Sequence, residues 1–284
     1  MAWTIDVQRS AGQVLVGLVL LLSGFAVFVF GSTYFSVWPT NGSTLYYGVL
    51  LAVFGAGALL LRRSRNQRIR DSWRAAYALM AATAATLLLD TGVLNLPRSA
   101  SLTPVADLAV DKLSQFLHIV PLLLVLMVLG GVRMREIFLD TGRLRSALLF
   151  GGVAFALFTG VALLTQPDLG AMIGRVPAAL PWILLFVLSN AIMEELWFRG
   201  IFLRPLTSLI GRWGAILVTS LVFGAAHYFA EWVFPGGPLV LAVVTFVLGF
   251  VGAWAMLHHR SLIGAVLLHA GYDMIIIMSV LSGS

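Results

Sequence analysis

Met193-Glu194-Glu195-Leu196-Trp197-Phe198-Arg199 places two adjacent carboxylates and a guanidinium inside a run that is otherwise almost entirely apolar. A charge held at the centre of a bilayer costs at least ~2.5 kcal/mol, so ionisable groups in such runs default to function. The bland alternative is a solvated pair at the cytoplasmic end of a short helix. Arg204 and Arg212 lie further along and argue that the helix continues past the glutamates.

Working outward, the whole chain of 284 residues is 60% hydrophobic and only 11% charged. Soluble domains carry about 25% charge, so the composition is that of an integral membrane protein. The formal net charge of +6 comes mostly from arginines gathered in a few connections. That pattern suits topology and anionic headgroups, and no base-reading motif accompanies it, which excludes nucleic acid as a partner. The absence of cysteine removes disulfides, thiolate metal sites and a cysteine nucleophile.

A membrane helix needs about 20 mostly apolar residues. The chain offers nine such runs: Gly12–Phe30, Leu45–Leu61, Ala75–Leu94, Leu113–Gly130, Ser146–Leu164, Ala179–Arg199 (with an extension toward Leu203), Gly214–Ala230, Leu239–Leu257 and Leu262–Leu281. The first, preceded by Arg9 and followed by no small-x-small cleavage site, reads as a retained span rather than a signal peptide. The expected fold is an all-α, polytopic bundle of eight or nine membrane helices. Alternate connections are rich in arginine: Arg62 to Arg74, then Arg133 to Arg145, Arg204 with Arg212, and Arg260. The others hold only Arg98, Lys112 and Arg175. The positive-inside rule then puts the N-terminus in the cytoplasm, in the cell membrane, and Ser282–Ser284 outside. Trp38, Trp73, Trp182, Trp213 and Trp232 fall near span ends, where aromatic anchors belong.

Two later spans each carry a histidine one helical turn from a marked partner: Phe223 with His227, and His269 with Asp273. With the sixth span running to Pro205, Glu195 lies roughly 15 Å from its cytoplasmic end, His227 roughly 20 Å along its span and His269 roughly 12 Å along its own. Glu195 and Arg199, four apart, share a helix face and can pair, while Glu194 points about 100° away. One carboxylate is thus neutralised and the other faces a cavity, as a general base requires. His227 is placed to share the water, and His269 with Asp273 to stabilise charge on a carbonyl oxygen.

The ordered pattern Glu194-Glu195-x-x-x-Arg199, Phe223-x-x-x-His227 and His269-x-x-x-Asp273 resembles the CAAX protease and bacteriocin-processing family. These are intramembrane endopeptidases related to the type II CAAX prenyl protease. The resemblance covers about Ala179 to Met278, within a catalytic core expected over 146–284; residues 1–145 carry no assignable motif. It implies hydrolysis of a peptide or protein substrate at the membrane, with Glu194 activating water, His227 assisting, Glu195 and Arg199 supporting, and His269 with residue 273 as the oxyanion hole. Many members carry asparagine where this chain has Asp273. An ionised carboxylate only accepts hydrogen bonds, so Asp273 is either protonated, paired with an imidazolium, or turned toward a cation. The mechanism therefore stands open between one needing no cofactor and one in which Glu194, His227, His269 and Asp273 hold a divalent cation such as zinc.

His118, His258, His259, Asp90 and Glu231 read as interface residues, and Ser220 and Thr219 lack the order of a serine–histidine–acid nucleophile. A transporter or proton relay would use the same ionisable groups, but neither repeat symmetry nor a pair of broken spans accompanies them. A third reading is an inactive relative acting as an immunity or assembly factor. Nothing in the residues separates prenylated C-terminal motifs from leader peptides as the substrate.

Overall fold

The computed structural model describes residues 11–31, 42–166, 168–230 and 236–283. Arg9, Trp38, Glu231, Trp232 and Ser284 fall outside these, as does the side chain of Arg68. The elements are α1 (Ala11–Phe28), α2 (Gly42–Arg63), α3 (Gln67–Arg70), α4 (Trp73–Thr91), α5 (Pro104–Leu129), a 3-10 turn (Met134–Ile137), α6 (Leu144–Leu164), α7 (Leu169–Glu194), a π-helical turn (Glu195–Gly200), α8 (Leu203–Tyr228), α9 (Gly237–His259) and α10 (Ile263–Gly283). The fold is all-α, with no strand among the described residues. Eight of these helical runs are long and apolar enough to cross a membrane, and the protein is an integral membrane protein.

The ninth expected span is the exception. α4 forms where the third run was read, but it does not reach the apolar threshold. Its sequence is rich in alanine, and Ala75, Ala78, Ala81, Ala82 and Ala85 are buried. Small side chains suit contact with other helices, while Arg74 and Asp90 near the two ends of α4 lower its mean hydropathy. Two boundaries also move. α5 starts at Pro104, nine residues before the expected Leu113, because Thr103 caps it by accepting a hydrogen bond from the Ala106 amide at 3.3 Å. Lys112 therefore lies inside a helix, not in a connection. α7 starts at Leu169, capped by Asp168, so Arg175 is helical as well. Beyond the π turn the backbone stays right-handed at Ile201 and Phe202, and α8 breaks at Gly211 (φ 74, ψ 168). Arg204 is thus helical, and Arg212 follows a turn that favours glycine.

The chain divides into two compact units, Met1–Met80 with Phe202–Gly249, and Ala81–Ile201 with Phe250–Ser284. In the first, α1 packs on α8, where a Cβ on Gly24 would meet Val222 at 2.6 Å. The opposite face of α1 exposes Leu15, Leu18 and Leu22, as a lipid-facing helix should. In the second, α10 packs on α6 and α7, and α5 packs on α7. The α6–α10 contact is backbone to backbone: a Cβ on Gly151 would stand 2.6 Å from Leu267 Cβ, and one on Gly271 would stand 2.6 Å from Phe155 Cα. Such glycines let membrane helices approach closely where no hydrophobic effect drives association. His118 closes the start of this unit. Its Nδ1 donates to Ser114 O at 2.7 Å and its Nε2 accepts from the Leu94 amide at 2.9 Å. Both ring nitrogens are engaged, so His118 staples the connection after α4 to α5.

Candidate active site

The second unit sets two helices antiparallel, each contributing two polar groups one turn apart. α7 carries Asn190 and Glu194; α10 carries His269 and Asp273. Because one helix ascends as the other descends, Asn190 faces Asp273 and Glu194 faces His269. Asn190 Nδ2 donates to Asp273 Oδ2 at 3.1 Å, and His269 Nε2 lies 3.6 Å from Glu194 Oε2 and 3.7 Å from Asp273 Oδ1. The same register reaches the far end, where Arg175 Nη1 donates to the Leu281 carbonyl at 3.0 Å. A cation at the last carbonyls of α10 complements the helix dipole there. All four central groups are buried.

The π turn explains how both glutamates address one imidazole. One extra residue per turn, marked by the Ile201 amide donating to Leu196 O at 3.2 Å, re-aims the side chains at its start. Such turns recur at functional sites. Glu195 Oε1 lies 2.8 Å from His269 Nδ1, while Glu194 approaches Nε2. The histidine thus has a carboxylate at each nitrogen. An ionised Glu195 accepts, so Nδ1 carries a proton and the Nε2 edge is turned toward Glu194 and Asp273.

Glu195 is also held by Arg199, whose Nε donates to Oε2 at 2.6 Å and whose Nη2 donates to Oε1. Both side chains are fully buried, and the bidentate geometry is the strong form of this pair. Glu194 has a different cation. Lys112 Nζ on α5 stands 3.8 Å from Glu194 Oε1 and donates to Gln115 Oε1 at 3.3 Å. Gln115 donates to Asp111, which faces Arg98 at 3.5 Å, and Arg98 forms a bidentate pair with Asp107. Side-chain exposure falls along this series, from 48% at Arg98 to 16% at Lys112 and 10% at Glu194. A polar file therefore runs from the surface down α5 to Glu194.

Five of the six expected site residues, Glu194, Glu195, Arg199, His269 and Asp273, meet in this unit. His227 belongs to the other unit. It sits in the last turn of α8, with Nδ1 2.8 Å from Phe223 O and its ring 4.4 Å from that of Phe223. Among the described residues no three histidine, aspartate or glutamate side chains are arranged to hold a metal ion. Of the alternative ligand set, Glu194, His269 and Asp273 lie in the second unit and His227 in the first. The Thr219 and Ser220 hydroxyls donate to carbonyls of their own helix, at 2.9 and 2.7 Å, as back-bonded helical residues do.

Two site residues escaped the sequence reading. Asn190 was legible by the spacing that linked Glu195 to Arg199, since it stands four residues before Glu194 in an apolar run. Lys112 was hidden by counting apolar residues alone; the Thr103-Pro104 start signal, once used, places it eight residues into a helix.

No curated protein and no solved structure matches the chain. Residues 176–275 match the family model described as type II CAAX prenyl endopeptidase Rce1-like. That span holds all three motifs, and over it the chain is similar to the type II CAAX prenyl endopeptidases.

Proposed function

We propose that the protein is an intramembrane endopeptidase that hydrolyses a peptide bond of a membrane-associated substrate with water activated by Glu194. The observation that carries this reading is the antiparallel quartet of Asn190, Glu194, His269 and Asp273. It puts a carboxylate and an imidazole on facing helices, within 3.6 Å of each other, inside a membrane protein. Contacts of this length in a ligand-free site tighten once substrate is bound. Glu194 accepts a proton from water, whose oxygen attacks the carbonyl carbon. The π electrons move to the carbonyl oxygen, and His269, protonated on both ring nitrogens, donates its Nε2–H to that oxyanion. As the carbon–nitrogen bond breaks, the proton on Glu194 passes to the departing amine. Glu195, held by Arg199, takes the Nδ1–H of the His269 imidazolium and fixes its orientation. His227 is assigned as the partner of Glu194 by its motif alone.

The core over 146–284 carries these motifs, with Lys112 contributed from the preceding helices. The arginine-rich connections support a cytoplasmic N-terminus, and the reading takes the cell membrane as the location. Purified protein is tested against quenched fluorescent peptides, with and without a farnesylated cysteine near the C-terminus. Hydrolysis that Glu194→Gln abolishes, and that a proton gradient leaves unchanged, supports the reading. Undiminished hydrolysis by Glu194→Gln refutes it.

A further inference from the structure

Asn190 is buried, and its carboxamide is only partly used. Its nitrogen donates one hydrogen bond, to Asp273 Oδ2 at 3.1 Å. A carboxamide nitrogen has two protons. Among the described residues nothing else accepts from it, and its Oδ1 is a buried acceptor without a hydrogen-bond donor. A buried carbonyl left unpaired is costly, and each such group in a native fold calls for an explanation. The remaining donor and acceptor complement one residue of an extended peptide, whose N–H and C=O point to the same side. The amide is also well placed. It lies one turn from Glu194 on α7, and Asp273, which it touches, lies one turn from His269 on α10.

Asp273 sharpens the point. As a carboxylate it accepts from Asn190 and offers no proton to an oxyanion. The carboxamide donor that a residue at 273 would otherwise supply stands instead across the helix pair, at 190. We propose that Asn190 is a catalytic residue that binds the substrate residue on the amino side of the scissile bond. Its Nδ2–H donates to the carbonyl oxygen on which charge develops, and its Oδ1 accepts that residue's own N–H. Asp273 orients the carboxamide by taking its other proton. The proposal rests on the hydrolytic reading above.

The test compares Asn190→Leu, which keeps the branched shape but has no polar atoms, with Asn190→Leu/Asp273→Asn, which returns a carboxamide to the facing position. Loss of one oxyanion donor lowers turnover about 10²- to 10³-fold. The expected result is a fall of that size in kcat for Asn190→Leu, with KM changed only a few-fold, and recovery of tenfold or more in the double variant. A purely structural asparagine would give a lower unfolding temperature and no such rescue. Asn190→Leu turning over like the parent, or a double variant no better than the single, overturns the proposal. If Asn190→Leu does not accumulate, Asn190→Ala alone and with Asp273→Asn is read by the same criteria. Glu194→Gln is run alongside with the same farnesylated and unmodified fluorescent peptides. Its loss of activity beside an active Asn190→Leu removes only the role of Asn190, whereas its full activity removes hydrolysis by Glu194 itself.

Discussion

The contact between α6 and α10 sets the position of His269 and Asp273, and Gly271→Ala tests it. A Cβ at residue 271 would stand 2.6 Å from Phe155 Cα, with Ala154 O and Phe155 N at 3.3 Å. These are backbone atoms of a helix, so no side chain can swing aside. Restoring ordinary contact at 3.4 Å requires the helices to part by about 0.8 Å. His269 and Asp273 flank residue 271 on α10 and move with it. Both stand two residues from 271 and so leave α10 on its opposite side; a shift of α10 away from α6 presses His269 toward Glu195, where the 2.8 Å contact between Nδ1 and Oε1 has no room to shorten and must shift sideways. Overpacking of this kind costs about 1–3 kcal/mol. A 1 Å displacement of catalytic groups lowers turnover about 10²-fold. Gly152→Ala is the control, since a Cβ there meets nothing within 4 Å and alanine favours the helix. The assays are thermal unfolding in detergent and peptide hydrolysis. Gly271→Ala with the parent's unfolding temperature and turnover would refute both the close contact and the inference that helix spacing governs the site.

Three further outcomes follow from the same geometry. Arg199→Met leaves Glu195 buried without its guanidinium and is expected to destabilise the protein by about 3–5 kcal/mol, read as a lower unfolding temperature; an unchanged transition contradicts a buried pair. Lys112→Met removes the cation 3.8 Å from Glu194 and should lower turnover at least about tenfold, with Lys112→Arg retaining most of it, since a charge at that distance acts strongly in a low dielectric. Equal kinetics for Lys112→Met and the parent count against a role for α5 in the site. His118→Phe orphans the Leu94 amide and is expected to cost about 1–3 kcal/mol of stability while kcat per folded molecule stays at the parent value.

Hydropathy made eight membrane helices legible because a bilayer demands long apolar runs whatever the tertiary packing. α4 is the least apolar of the expected runs because Arg74 and Asp90 stand near its ends, while Ala81, Ala82 and Ala85 between them are buried. The positions of Glu194, Glu195, Arg199, His269 and Asp273 along their helices were readable because helical spacing fixes which residues share a face. Their cross-helix pairing was not. That Glu195 takes Nδ1 of His269 and Glu194 faces Nε2 depends on the π turn at Glu195, which no periodicity encodes. Asn190 and Lys112 were overlooked for different causes. An asparagine in an apolar run reads as ordinary packing until its partner on α10 is known, and Lys112 was assigned to a connection that the Thr103 cap places within α5.

The charges of the second unit fall into a tight set and a loose set, and the difference bears on how the site works. Glu195 and Arg199 lie four apart, and their pairing is local to one stretch of chain. His269 joins them by a short hydrogen bond, so this triad is a fixed frame. A Cβ on Gly252 of α9 would stand 3.4 Å from Glu195 Oε2 and 3.6 Å from Arg199 Nε, so the wall behind the pair is close and apolar. Glu194, by contrast, meets Lys112 at 3.8 Å and His269 at 3.6 Å, and Asp273 meets His269 at 3.7 Å. These contacts place charge of the opposite sign, or a group able to carry it, near each carboxylate. A base that must accept a proton, hold it and hand it on is better served by such contacts than by a bidentate arginine, which would keep the carboxylate ionised and turned away. The arrangement gives each glutamate a cation suited to its work. On the proposed mechanism, the rigid guanidinium serves to fix Glu195 as scaffold, and Glu194, paired with Lys112 rather than with a bidentate arginine, is the carboxylate that exchanges a proton with substrate water.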